Sequence, residues 1–258
     1  MSASDRTRHA FTVGDHPRLE VEIAGGDVRV RVGQPGNVVV TVEASDAAQI
    51  EVSHVGDTVV VRKPRGWGTK RRHVIINVEV PVGIDLDIST VSGEIRLEGS
   101  FGNARVHTIS ADVSIDTIRR AEVDSTSGDV QLRATGALDV SSISGDVRVG
   151  LVQGRLRASL TSGTLRVDRV EGDADVASMS GNVVIGRCDG DDVALRSVSG
   201  DLQLGLPTGI RVEPEITTVS GRTSLPAAAA PAPATSAPRR RVRLRMRSVS
   251  GDIRIERV

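Results

Sequence analysis

From Leu86 onward apolar and polar residues alternate in short bursts, and the bursts repeat. Each is centred on a serine that, in all but one case, precedes glycine: Ser92, Ser110, Ser127, Ser144, Ser162, Ser180, Ser199, Ser220 and Ser250. Four residues before it stands an aliphatic residue, as at Ile88, Val106, Val123, Val140, Val176, Leu195 and Met246. Three and five residues after it come pairs such as Ile95 and Leu97, Val147 and Val149, Leu165 and Val167, or Ile253 and Ile255. Period-two alternation on both sides of a Ser-Gly corner predicts two short strands per repeat, each with one buried face. The repeats are spaced by 17 to 21 residues, except for one interval of 30 that contains the Ala/Pro/Arg-rich run 226–241, read as a loop insertion.

A repeat this short buries too few aliphatic side chains to offset the entropy of ordering it, so neighbours must share hydrogen bonds and a core. The fold class that follows is all-β: a single-stranded β-solenoid of about nine short rungs, covering 84–258. Stacking in register predicts alternating charge on the outward face. Five residues before each corner serine the order is Asp87, Arg105, Glu122, Asp139, Arg157 and Asp175, and four of the five neighbouring pairs are opposite in sign. Hydroxyl residues two before the serine (Thr90, Thr108, Ser125, Ser142, Ser178, Ser197, Thr218, Ser248) are expected inside the corner, together with the serines themselves. The glycine is expected to supply positive φ, and Asp129, Asp146, Asp201 and Asp252 to bond turn amides.

Upstream the grammar changes. Residues 1–18 read as a flexible tail and 19–83 as an N-terminal antiparallel β cap, in which Leu19–Val32 is a degenerate copy of the repeat. The run 62–73 carries Lys63, Arg65, Lys70, Arg71 and Arg72 around Trp67. It reads either as a solvated hairpin tip or as a peripheral contact for an anionic membrane surface. One tip offers too few phosphate contacts for nucleic acid. Along 241–247, Arg241, Arg243, Arg245 and Arg247 alternate outward, and are expected to guard the last rung as a partner-docking edge. A monomer or weak homodimer follows.

Composition narrows the chemistry. The 258 residues carry 33 basic and 33 acidic side chains, so net charge selects no partner. Aromatic residues are Phe11, Phe101 and Trp67, with no Tyr, so the core is aliphatic. Cys188 stands alone and is expected to be a buried filler. Of five histidines only His107 lies in the repeats, so the serines lack a general base. The acidic column is interrupted at Thr164, Asn182 and Arg222, which argues against a calcium ladder. No catalytic residue, metal or cofactor is expected. With no apolar leader or span, the chain reads as cytoplasmic.

The join "INVEVPVGIDLDISTVSGEIRLEG" (76–99), followed by SG-D repeats, resembles the bacterial toastrack family, adhesin-like proteins of unknown function. The resemblance implies an all-β solenoid-like fold, no established enzyme activity, and a sensing or assembly role linked to the cell envelope or envelope stress. The expected function is a non-catalytic interaction scaffold for a protein or envelope component. The alternatives are an adhesin or carbohydrate-binding surface protein, and a β-helix polysaccharide-active enzyme.

Overall fold

Alternating aliphatic and charged residues form strands along nearly the whole chain, which is all-β with a solenoid-like stack of parallel strands. The computed structural model describes residues 5–45, 47–63, 74–225 and 240–258. Two compact units divide at Arg133 and Ala134.

The first unit contains β1 (Asp5–Thr12), β2 (Arg18–Ile23), β3 (Asp27–Val32), β4 (Asn37–Ala44), β5 (Glu51–Val55), β6 (Thr58–Arg62), β7 (Ile75–Val80) and β8 (Asp85–Ser125). A short 3-10 turn, Ala47–Gln49, precedes β5. Strands β2 and β3 form one rung, as the degenerate copy predicts. Val21 pairs in parallel with Ile88 on one side and Val61 on the other; Val30 pairs with Leu97 and Val78. The cap expectation needs correction. Strands β6 and β7 join the stack in parallel, and among the described residues antiparallel pairing is confined to β1–β4, β4–β7 and β5–β6. Because β2 and β3 bond directly to β8, the expected boundary at 83/84 falls inside one unit. The expected tail is also partly ordered. Asp5–Thr12 is a strand paired along its length with β4; of its half-buried residues Thr7, His9 and Phe11 only the last is apolar, too weak an alternation to announce it.

The second unit contains most of β9 (Val130–Ser142), then β10 (Val147–Val152), β11 (Leu156–Ser162), β12 (Leu165–Val170), β13 (Ala174–Ser180), β14 (Val183–Cys188), β15 (Asp192–Ser199) and β16 (Leu202–Leu206). It ends with β17 (Arg211–Ser220), β18 (Thr223–Ser224), β19 (Arg241–Ser250) and β20 (Ile253–Arg257). Equivalent residues stack in register: Val140, Ala158, Val176, Leu195 and Met246 form one buried column, and Val149, Val167, Ile185, Leu204 and Ile255 another. Cys188 continues the buried column of Val152 and Val170.

The order of the last two rungs is inverted. Strand β15 pairs with β19, and β19 with β17, so the final repeat in sequence sits between its two predecessors. Composition explains the exchange. In β19, Val242, Leu244 and Met246 are fully buried, whereas β17 offers only the half-buried Val212 and Ile216. The more apolar rung takes the inner place, where both of its edges are covered.

The corner glycines do more than supply positive φ. A Cβ on Gly181 would lie 2.1 Å from the carbonyl oxygen of Gly163, and one on Gly200 2.4 Å from that of Gly181. The missing side chain lets one rung settle on the next. Gly181 has no positive φ, so stacking alone requires it. Gly181→Ala is expected to cost about 3 kcal/mol, since the clashing atom is backbone. Gly56→Ala, at φ 60° with nothing within 4 Å, is expected to cost about 1 kcal/mol. Urea unfolding midpoints of the two variants check the difference.

Candidate functional site

The repeated corner is a structural device with four parts. The inner hydroxyl closes the turn of its own rung: Ser142 Oγ accepts from Gly145 N at 3.1 Å, and Ser125 Oγ from Gly128 N at 3.1 Å. The serine before glycine was expected inside as well, but it faces outward. There it donates to the preceding rung, as Ser127 to Ile109 O and Ser162 to Ile143 O, both at 3.1 Å. The strand bends at this point, which breaks the alternation the expectation relied on. The acidic residue bonds between rungs. Asp146 accepts from Thr164 N at 2.9 Å, Asp201 from Asp252 N at 2.8 Å and Asp252 from Arg222 N at 2.8 Å; Asn182 does the same for Asp201 N at 3.0 Å. These carboxylates clamp backbone, and no cluster of metal-ligating side chains occurs among the described residues. Glycine completes the set by close approach.

The inner hydroxyls are not equivalent. Those of Ser197, Ser248 and Thr218 lack a hydrogen-bond partner, and the first two are buried. Leu160 fills the same column and shows that it accepts an aliphatic group. Ser142→Ala is expected to destabilise by about 1–2 kcal/mol, because it orphans the Gly145 amide. Ser248→Ala, at matched burial, is expected to be neutral or slightly stabilising. Thermal unfolding of the pair tests whether the bond, rather than the hydroxyl, is what matters.

Between the inner hydroxyl and the outward serine lies a column with no such structural task. In the second unit it runs Ile143, Thr161, Met179, Val198, Val249 and Val219, in stacking order. Its five apolar members are 50–78% exposed, a ladder of hydrophobic side chains held at rung spacing, roughly 4.8 Å. Beside it runs a shallow groove of about 450 Å³, whose other wall is formed by Ser159, Ala177, Arg196, Thr217 and Arg247. The small Ser159 and Ala177 open the groove at one end. The guanidiniums at the other are partnered, Arg247 by Glu215 at 2.6 Å and Arg196 by Asp175 at 3.9 Å. In the first unit Val91 and Ile109 hold the equivalent outward positions. The ladder was legible in sequence as the residue immediately before each corner serine. Reading only the buried columns passes over it.

The structure relocates the basic edge. Strand β19, expected to be open, is paired on both sides. Arg245 meets Asp192 at 2.9 Å, Arg247 meets Glu215 at 2.6 Å and Arg241 meets Glu213 at 3.8 Å. Arg243 stands in register between Asp192 and Glu213. The arginine strip does attract an acidic strand, but that strand is the chain's own β17. Of the anionic-surface candidates, Lys63 ends the strand region after β6, its amide bonded to Glu22 O at 3.1 Å. Arg65, Trp67, Lys70, Arg71 and Arg72 lie outside the described residues. Outward charges pair across rungs in the first unit, where Arg105 and Glu122 are 3.1 Å apart and the carboxylate raises the Arg105 pKa above its usual value. Burial pushes the Cys188 thiol up to about 11, which leaves it protonated and unreactive at neutral pH. Among the described residues no helix is long and apolar enough to cross a membrane.

The architecture matches solved structures. A "putative adhesin" from Parabacteroides merdae superimposes with a TM-score of 0.55 at 10% identity, over 97% of this chain and 95% of that one. A "putative lipid binding protein" from Parabacteroides distasonis gives 0.56 at 12% identity, over 98% and 97%. At such identities the likeness is one of fold. No curated protein matches the sequence. The family model described as Toastrack DUF4097 matches residues 16–256, nearly the whole chain, and the chain belongs to the toastrack family.

Proposed function

We propose that the protein is a non-catalytic interaction scaffold, and that the outward ladder of the second unit is the surface it offers to a protein partner. The single observation behind this reading is the row Ile143, Met179, Val198, Val249 and Val219, which exposes aliphatic side chains on a rigid frame. Four of these, Met179, Val198, Val249 and Val219, are neighbours in the stack, and such an exposed apolar run marks a binding surface rather than a folding need. Hydroxyls such as those of Ser127 and Ser142, and carboxylates such as that of Asp146, are engaged in turn and inter-rung bonds, which supports a structural role for the motif instead of a catalytic one. A rigid groove presented by in-register strands suits an extended segment whose apolar side chains interleave with the ladder.

The test is site-specific photo-crosslinking in the native cell, with the photoreactive group at Ser159 on the groove wall. A discrete protein adduct is expected. It should disappear on Met179→Asp plus Val249→Asp, substitutions at exposed sites two rungs apart that are expected to leave the melting temperature nearly unchanged. An adduct pattern indifferent to the two aspartates would remove the ladder from the function.

A further inference from the structure

Strand β1 is bonded on one side only. Its register with β4 pairs Asp5 with Ala44 through Thr12 with Asn37, and among the described residues no strand lies on its other side. The direction of its free backbone groups follows from one bond. Val13 N donates to Gly36 O at 2.9 Å, in continuation of the same register. In an antiparallel ladder bonded pairs alternate with non-bonded ones. Asp5, Thr7, His9 and Phe11 therefore bond to β4, while the amides and carbonyls of Arg6, Arg8, Ala10 and Thr12 point outward.

Exposed edges are usually blunted. Strand β17, the outer strand of the second unit, is blunted by Pro214. Arg211 N bonds towards β19, so alternate residues from Val212 point away, and Pro214 stands among them without an amide hydrogen. Strand β1 contains no proline and no bulge over eight residues.

We propose that β1 pairs antiparallel with β1 of a second copy of this chain, across a two-fold axis at His9. The register is decided by chemistry. Outward-pointing residues must face one another, which restricts the axis to Arg8, His9 or Ala10. An axis at Arg8 sets two arginines directly opposite, a repulsive pair. An axis at Ala10 leaves Arg6 outside the ladder. An axis at His9 pairs Arg6 with Thr12 and Arg8 with Ala10, uses all four outward positions of each strand, and places no like charges opposite. Arg6 is also neutralised within its own chain, by Glu43 at 3.6 Å.

The inner face of the strand supports the same register. Thr7, His9 and Phe11 are half-buried, level with the fully buried Val42, Val40 and Val38 of β4. Phe11 stacks near His9 and His54, with ring centroids 6.3 and 5.2 Å away, at the margin of the core. In the His9 register each Phe11 lies opposite Thr7 of the other copy, and the two His9 side chains meet at the axis. The second copy extends the layer that ends at Phe11. This inference does not rest on the ladder of the second unit.

Sedimentation of the full chain over a concentration series, with three variants, tests it. Reversible dimerisation is expected for the parent. Ala10→Pro deletes an outward amide hydrogen and leaves every bond to β4 in place, so it is expected to weaken the dimer about tenfold or more at an unchanged melting temperature. Under mild oxidation His9→Cys is expected to form a disulfide-linked dimer, because non-bonded antiparallel pairs bring their Cα atoms within about 4.5 Å. Thr12→Cys, displaced from the axis, is not. A parent that stays monomeric at its highest soluble concentration overturns the proposal. So does equal crosslinking by His9→Cys and Thr12→Cys, whether or not Ala10→Pro folds.

Discussion

Deleting residues 226–258 is expected to disorder more than it removes. The cut takes β19 and β20, and among the described residues β17 has no strand partner other than β19. Residues 211–224 would be left two rung spacings from β15, roughly 10 Å, with nothing between. They cannot simply move in. Val212 and Ile216 offer less apolar surface than Val242, Leu244 and Met246, and Glu213 and Glu215 lose their arginines. The deleted rung buries five apolar side chains, counting Ile253 and Ile255, each worth about 1.5–3 kcal/mol of gross burial. A much lower melting temperature is expected, with protease cleavage appearing between 207 and 225. Limited proteolysis with mass mapping is the check. Protection of 211–220 in the truncated chain would mean that β17 can dock on β15 directly.

Leu165→Asp is expected to prevent folding of the second unit. Leu165 is fully buried, stacked in register between Val147 and Val183, with no polar atom of its own column to receive a carboxylate. An unpaired buried charge costs several kcal/mol, comparable to the whole stability of a small domain. The damage also spreads along the stack, since each rung is stable only through its neighbours. Asp139→Ser, on the outward face of the same unit, is expected to cost less than about 1 kcal/mol. Soluble yield and near-ultraviolet circular dichroism separate the two outcomes.

The stack was legible because its signals are local and repeated. Columns such as Val140, Val176 and Leu195 lie four residues before each corner, and register carries them inward together. Rung order was not legible, because β17 and β19 present the same serine-centred grammar. What separates them is the depth of burial each can supply and the match of Glu213 and Glu215 to arginines, both properties of pairs of rungs rather than of either alone. The role of the corner glycines was half legible. Positive φ follows from residue type, whereas the approach of Gly181 to Gly163 O exists only after stacking. The candidate surface was missed for another reason. An apolar residue outside the alternation looks like noise until its exposure is seen, and Met179, Val198 and Val249 recur at a position that has no other task.

The inverted rung order also fixes how the second unit bears mechanical load. Tension entering at Val258 does not fall on an outer strand that peels one bond at a time. It falls on β20 and β19, and β19 is bonded in parallel to β15 on one side and β17 on the other. Drawing β19 out along its axis shears two ladders at once, while its side chains leave a closed column. A repeat that simply ended the stack would unzip at low force; one slotted between its predecessors works as a wedge that must fail as a whole.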